Sequence, residues 1–263
     1  MSAVLETRRL VRRFGGLVAT DDVTLAFERG DRHALIGPNG AGKTTLVNAL
    51  TGFQRPTEGR VFMDDLEITG WPTHKLGRMG LARTFQAVRV FAELTAFENV
   101  ELGALGVGAS RKDARARAWE LLERMQMTDR AERKAASLPY GDERRLGLLR
   151  ALAMQPTFLL LDEPAAGMNE GESDDLMAAI GAIRDEFGCG VLVIEHDMRV
   201  IMRLCERVQV LDYGKTISIG TPAEVQRDPA VITAYLGKKR AARATTSGNQ
   251  GPADGGLGLD RES

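Results

Sequence analysis

The chain has 263 residues, enough for one large domain or two small ones with a substantial core. Hydrophobic residues make up 43% and charged residues 27%, which is globular rather than disordered usage. Lys plus Arg number 35 against 36 Asp plus Glu, and this near-balance argues against a protein that wraps a nucleic-acid backbone.

The N-terminus, MSAVLETRRLVRRFGG, breaks every apolar stretch with charge and lacks the hydrophobic segment of a secretory signal. Short strands are predicted at Val4–Val11, Val23–Glu28 and Arg32–Ile36, with turn residues at Gly15-Gly16 and Gly30-Asp31 between them. A helix follows over Lys43–Leu50 and stops at Gly52, a residue suited to a C-terminal cap. Arg60–Met63 reads as a further strand, and Ala82 to Gln86 as a short extended segment. From Thr95 to Met154 the pattern turns helical. Thr95 with Glu98 and Ser110 with Asp113 resemble capping boxes, and Ala118, Leu121, Leu122 and Met125 form a core-facing stripe. Another helix is predicted from near Gly141 to Met154, ahead of Pro156.

Phe158–Leu161 and Val191–Ile194 are continuous apolar runs, the mark of strands buried on both faces in a parallel sheet. Glu206–Leu211 and Lys215–Ile219, joined through Asp212-Tyr213-Gly214, predict a closing hairpin, and Val231–Leu236 a short last helix. From Thr245 the chain is glycine-rich and almost without apolar residues, so a disordered tail is expected after the basic Lys238-Lys239-Arg240. Cys189 and Cys205 are too few for a disulfide scaffold and are expected as core thiols. No apolar run approaches the roughly 20 residues that span a bilayer, so a peripheral membrane role and a cytoplasmic location are expected.

Gly37-Pro38-Asn39-Gly40-Ala41-Gly42-Lys43-Thr44 fits the phosphate-binding pattern G-x-x-x-x-G-K-[ST] in full, between an apolar strand and a helix. The glycines let successive N–H groups point at phosphate oxygens, and the helix adds its positive end. Lys43 supplies charge for the β- and γ-phosphates, Thr44 a hydroxyl for Mg²⁺, and Thr45 a donor for the α-phosphate. The second element is Leu159 to Leu161 followed by Asp162-Glu163, two acids at the carboxyl end of a predicted parallel strand, where ligands sit. Asp162 there can hold Mg²⁺ and Glu163 can polarise an attacking water. His196 ends the other buried strand, within reach of a γ-phosphate, and Gln86 can add a polar ligand for Mg²⁺ or water.

These motifs, in this order, resemble the ATP-binding cassette (ABC) ATPases, the nucleotide-binding subunits of ABC transporters. The likeness covers roughly Ala3 to Gly237. The resemblance implies a mixed α/β P-loop core, an N-terminal antiparallel β subdomain and an inserted helical subdomain at about 88–155. It implies one domain over 1–237, with 238–263 as the tail. Phe14 stands at the adenine-stacking position with Val18 beside it, Gln86 at the Q-loop, Gly167-Met168-Asn169 at the D-loop and His196 at the switch. Leu138-Pro139-Tyr140-Gly141-Asp142 stands at the signature. The family implies two cassettes closing head to tail around two ATP molecules, each site made by the Walker motifs of one subunit and the signature of the other. It also implies two membrane permease subunits, contacted from Phe85 to Phe97, and a separate solute-binding protein.

Arg13 to Ala19, Leu81 to Gln86, Glu163 to Asn169 and Ile194 to Met198 are most similar to the high-affinity bacterial branched-chain amino acid transport ATPases. Importers of amides or urea, the lipopolysaccharide-export ATPase and non-transport ABC ATPases are the alternatives. The last commonly carry long inserts, tandem cassettes or basic surfaces, which this sequence lacks. One departure stands out. Proline at 139 replaces a serine and offers neither hydroxyl nor N–H, and Asp142 replaces a glutamine and is expected to add negative charge near the partner's ATP. The site built with this signature is therefore expected to be the weaker of the two, and the double variant Pro139→Ser, Asp142→Gln to raise turnover.

Overall fold

The computed structural model describes residues 3–87 and 89–235. Its elements are β1 (Val4–Phe14), β2 (Leu17–Glu28), β3 (Arg32–Ile36), α1 (Lys43–Leu50), β4 (Glu58–Met63), β5 (Leu66–Glu67), α2 (Thr73–Arg78), β6 (Leu81–Arg83), α3 (Ala96–Gly106), α4 (Arg111–Arg124), α5 (Tyr140–Leu152), β7 (Phe158–Asp162), α6 (Glu170–Phe187), β8 (Gly190–Ile194), α7 (Met198–Leu204), β9 (Arg207–Asp212), β10 (Lys215–Gly220) and α8 (Pro222–Arg227).

Strands β1 and β2 form an antiparallel hairpin closed by Gly15-Gly16, with Gly15 at φ 57°. This hairpin belongs to a four-stranded sheet of order β2-β1-β4-β5. Strand β1 runs three residues beyond its predicted end. The ladder slips between Thr7 and Leu10, where Arg9 takes φ 48°, so Leu10 and Val11 are both buried despite being adjacent. Such a bulge breaks the two-residue alternation by which a strand is recognised.

The second sheet has six strands in the order β10-β9-β3-β8-β7-β6. All are parallel except the edge strand β10. Strands β7 and β8 are buried along their whole length, which explains their unbroken apolar sequence. Their side chains alternate between two cores. Leu159, Leu161, Val191 and Val193 pack with the helical segment between β6 and β7, whereas Phe158, Leu160, Leu192 and Ile194 pack with α1 and the antiparallel sheet. Because β7 and β8 pair in register, with Asp162 opposite Ile194, the loops after β3, β7 and β8 open side by side at one edge.

Helices α3, α4 and α5 lie between β6 and β7. Thr95 and Glu98 form a reciprocal capping box, and the Ser110 side chain caps α4. Five elements escaped the sequence reading as named units: β5, α2, α6, α7 and α8. The last carried a legible signal, since Thr221 and Glu224 form a capping box with Pro222 in the first turn. Residues 229–235 are helical, and Leu236, Gly237, the basic cluster and the tail lie outside the described residues. Among the described residues no helix is long and apolar enough to cross a membrane. Both cysteines are buried, and burial pushes the Cys205 thiol up to about 12.

His33 of β3 is also buried, packed beside the Phe27 ring, and its Nε2 has no hydrogen-bond partner. Burial, and then the neighbouring Arg207, depress its pKa from 6.5 to about 4. The folded state therefore excludes a proton that the unfolded chain binds between these values. Its contribution is present above pH 6.5 and is lost as pH falls toward 4, by up to about 3 kcal/mol. Urea unfolding at pH 4.5 and 7 is expected to show a smaller acid loss for His33→Leu than for the native chain.

Candidate active site

The loop after β3 is shaped by three glycines with left-handed backbone, two of which leave no room for a side chain. Gly37, Gly40 and Gly42 have φ of 147°, 80° and 102°. A Cβ on Gly37 would lie 2.1 Å from the Leu211 carbonyl oxygen, and one on Gly42 would lie 2.3 Å from that of Ala19. The Lys43 ammonium reaches back over the loop and donates to the carbonyls of Gly37 (2.7 Å) and Pro38 (3.2 Å). A second turn holds the loop from outside. The Gly214 N–H donates to Ala41 O (3.0 Å), and Asp21 N–H donates to Gly214 O (2.8 Å). The β9–β10 turn therefore has a role beyond closing a hairpin.

Asp162, the last residue of β7, forms a buried ion pair with Arg83 of β6 at 2.8 Å. Arg83 also donates to Asn48 Oδ1 (2.7 Å) and Thr51 Oγ1 (3.3 Å) at the end of α1. Glu163 follows in the left-handed region, φ 47°, with its N–H donating to Ile194 O (2.9 Å). A non-glycine residue held in that region at the end of a central strand is a strained position of the kind found in functional sites. Its carboxylate accepts a hydrogen bond from Gln86 Nε2 at 2.7 Å and lies 3.8 Å from His196 Nδ1. Gln86 sits in a bend three residues past the end of β6, not at the end of a strand. The buried Glu195 supports this corner, accepting from the N–H groups of His196 (3.0 Å) and Ala165 (3.3 Å).

A cleft of about 500 Å³ joins these parts. Asn39 to Thr45, Gln86, Asp162 and Glu163 line one end, and Phe14, Leu17 and Val18 the other. Tyr213 also lines it, at φ 44° and largely exposed. Gly37 and Pro38 lie at the root of the loop and supply carbonyls to Lys43. Leu17, Tyr213, Arg83 and Glu195 were missed in the sequence. The first two were recoverable, since Leu17 directly opposes Phe14 across the hairpin and Tyr213 follows a strand parallel to β3. Glu195 carries the same signal as Glu163, an acid just past a buried strand, whereas Arg83 carries no local signal. The hydroxyl of Thr44 and the carboxylate of Asp162 are hard oxygen donors on one cleft, a set that fits Mg²⁺ arriving with phosphate oxygens.

The segment 138–142 is not part of this cleft. Pro139 is the N-cap of α5, with Leu138 buried before it. Tyr140 donates its hydroxyl proton to Ala166 O at 3.2 Å, and Gly141 faces the Glu172 carboxylate. Asp142 does not stand alone. Its side chain is buried in an ion pair with Arg130 at 2.6 Å, a cation that also pairs with Asp129 at 2.7 Å, and these acids, Asp142 foremost, raise the Arg130 pKa. Asn169 acts as a helix cap, with its Oδ1 accepting from Glu172 N–H (2.9 Å) and Glu172 reciprocating (3.0 Å).

A glycine-rich loop between a central parallel strand and a helix, with carboxylates at the end of a neighbouring parallel strand, defines a P-loop nucleoside triphosphatase. The ABC transporter family model matches residues 20–166, and that of the branched-chain amino acid ATP-binding cassette transporters matches residues 215–241. The chain is 43% identical over 250 residues to the high-affinity branched-chain amino acid transport ATP-binding protein BraF of Pseudomonas aeruginosa, covering 89% of this chain and 98% of BraF. The crystal structure of the ADP conformation of MJ1267, an ATP-binding cassette of an ABC transporter, superposes with a TM-score of 0.81 at 30% identity, covering 90% of this chain and 100% of MJ1267. The dimeric cassette MJ0796 bound to ADP and Pi gives 0.75 at 26% identity, covering 83% of this chain and 98% of MJ0796. The chain belongs to the ABC transporter ATPases and, within them, to the branched-chain amino acid type, so it is an ATP-binding subunit that hydrolyses ATP.

Proposed function

We propose that this chain powers the import of branched-chain amino acids, as one of two ATPase subunits docked beneath two permease subunits on the cytoplasmic face of the inner membrane. A paired, non-identical ATPase is the preferred partner, and a separate binding protein delivers the solute. The observation that carries the catalytic part is the contact of Gln86 and His196 with Glu163 beside the phosphate loop. Phe14 and Val18 take the adenine. The N–H groups of Gly37 to Thr45 and the Lys43 ammonium take the phosphates. Glu163 accepts a proton from the attacking water and His196 donates to the γ-phosphate. Thr44, Asp162 and Gln86 hold Mg²⁺, which when bound neutralises charge on the β- and γ-phosphates. Reconstitution with the permeases tests the reading. ATP-dependent uptake of labelled leucine, isoleucine and valine is expected, and uptake of an unrelated solute alone would overturn the substrate assignment.

Leu138 to Asp142 serve the ATP held by the partner subunit. With Asp142 paired to Arg130, the weakness of the second site is assigned to Pro139. Pro139→Ser restores a hydroxyl and an N–H, together worth at least about 1 kcal/mol or about fivefold in turnover of the assembled complex. Adding Asp142→Gln is expected to give no further gain, because it breaks the ion pair without exposing a donor to the phosphate. Steady-state ATPase assays of the two variants check this.

A further inference from the structure

Arg144 lies one turn along α5 from Tyr140 and is almost fully buried. Its Nη1 donates to Glu163 O at 2.7 Å, its Nη2 to Gln86 O at 3.1 Å, and its Nε and Nη2 to the Tyr140 hydroxyl at 3.0 and 2.7 Å. That hydroxyl donates a hydrogen bond to Ala166 O, while the Tyr140 ring fills the space over Gly167, where an added Cβ would lie 3.0 Å from Cε1. The partners are neutral carbonyls and a hydroxyl, so the charge is not there to balance a carboxylate. What the guanidinium contributes is shape, a rigid planar fork with donors at fixed angles. It spans the main chains of Gln86 and Glu163, the two residues whose side chains meet at 2.7 Å. Those residues lie just past strands β6 and β7, whereas Arg144 and Tyr140 ride on the helix that opens with the signature.

We propose that Arg144 is a positioning residue that couples hydrolysis in this chain's own cleft to engagement of its signature helix at the site across the dimer. The inference rests on the proposed function, in which Tyr140 and its neighbours face the partner's ATP. A shift of α5 on closing moves the guanidinium, and with it the carbonyls of Gln86 and Glu163. Lysine keeps the charge but loses the fork, so it cannot hold two carbonyls and a hydroxyl together.

The test uses the complete transporter with both ATPases and permeases. Arg144→Lys and Arg144→Met are each expected to lower kcat by about tenfold or more. KM for ATP and the Kd for a fluorescent ATP analogue should stay within about twofold. The Hill coefficient for ATP should fall toward one. Tyr140→Phe keeps the ring over Gly167 and loses only the hydroxyl. It is expected to lower kcat by about threefold, and to add nothing on top of Arg144→Lys. This milder variant serves if the arginine variants fold poorly. Full turnover in Arg144→Met, full rescue by Lys, an unchanged Hill coefficient, or a parallel loss of nucleotide binding would each overturn the proposal. Glu163→Gln in the same complex separates the two levels. If it retains turnover, the catalytic reading itself is wrong. If it is inactive while Arg144→Met is normal, only the coupling fails.

Discussion

Replacing Glu163 by Gln is expected to lower ATP turnover of the assembled complex by a factor on the order of 10² to 10⁴, with ATP binding intact. The substitution keeps size and polarity but removes the carboxylate proposed to take a proton from water. Glutamine can present its carbonyl oxygen to Gln86 Nε2, so the 2.7 Å contact and the left-handed backbone at 163 need not change. The proposed nucleotide contacts lie away from Glu163, in the loop after β3 and at Phe14 and Val18, so the variant should accumulate as an ATP-bound pair of cassettes. Gel filtration with ATP and a single-turnover phosphate assay measure the two properties independently. Turnover within about tenfold of the native complex would remove Glu163 from the role of base.

The second large effect is on stability. Arg83→Met is expected to cost about 3–5 kcal/mol, because it strips the counter-ion from a carboxylate that is almost fully buried. For a chain of this size that corresponds to a fall in Tm of about 10 °C. Arg83 also closes the hydrogen-bonding of Asn48 and Thr51, so the loss extends to the end of α1, the helix that follows the phosphate loop. The double variant Arg83→Met, Asp162→Asn should recover part of the loss, since no buried charge is then left alone. Thermal unfolding of the three chains gives the coupling directly. An Arg83→Met chain within about 1 kcal/mol of the native one would show that the pair contributes little.

The two effects differ in how visible they were beforehand. Glu163 was legible because its meaning is local, an acid at the end of a doubly buried strand, in a chain that also holds a phosphate loop. The parallel sheet, the helix after Gly42 and the helical middle were legible for the same reason, since each is written in periodicity and caps over a few neighbouring residues. The bulge at Arg9 hid the true length of β1 because it breaks that periodicity.

The amino-acid order alone therefore determined the family, the nucleotide and most of the candidate site, because a phosphate cradle needs consecutive N–H groups and so must be built from contiguous chain. The tertiary structure decided which charges meet. Arg83 and Asp162 lie 79 positions apart, and Arg144 reaches carbonyls 58 and 19 positions away. Asp142, an apparent excess charge in the signature, is matched by Arg130 on the preceding segment. A side chain's partner depends on where strands and helices pack, and no spacing in the sequence encodes that. For this reason the pairing of Asp142 with Arg130 and the wiring from Arg144 to the cleft emerge only when the chain is folded.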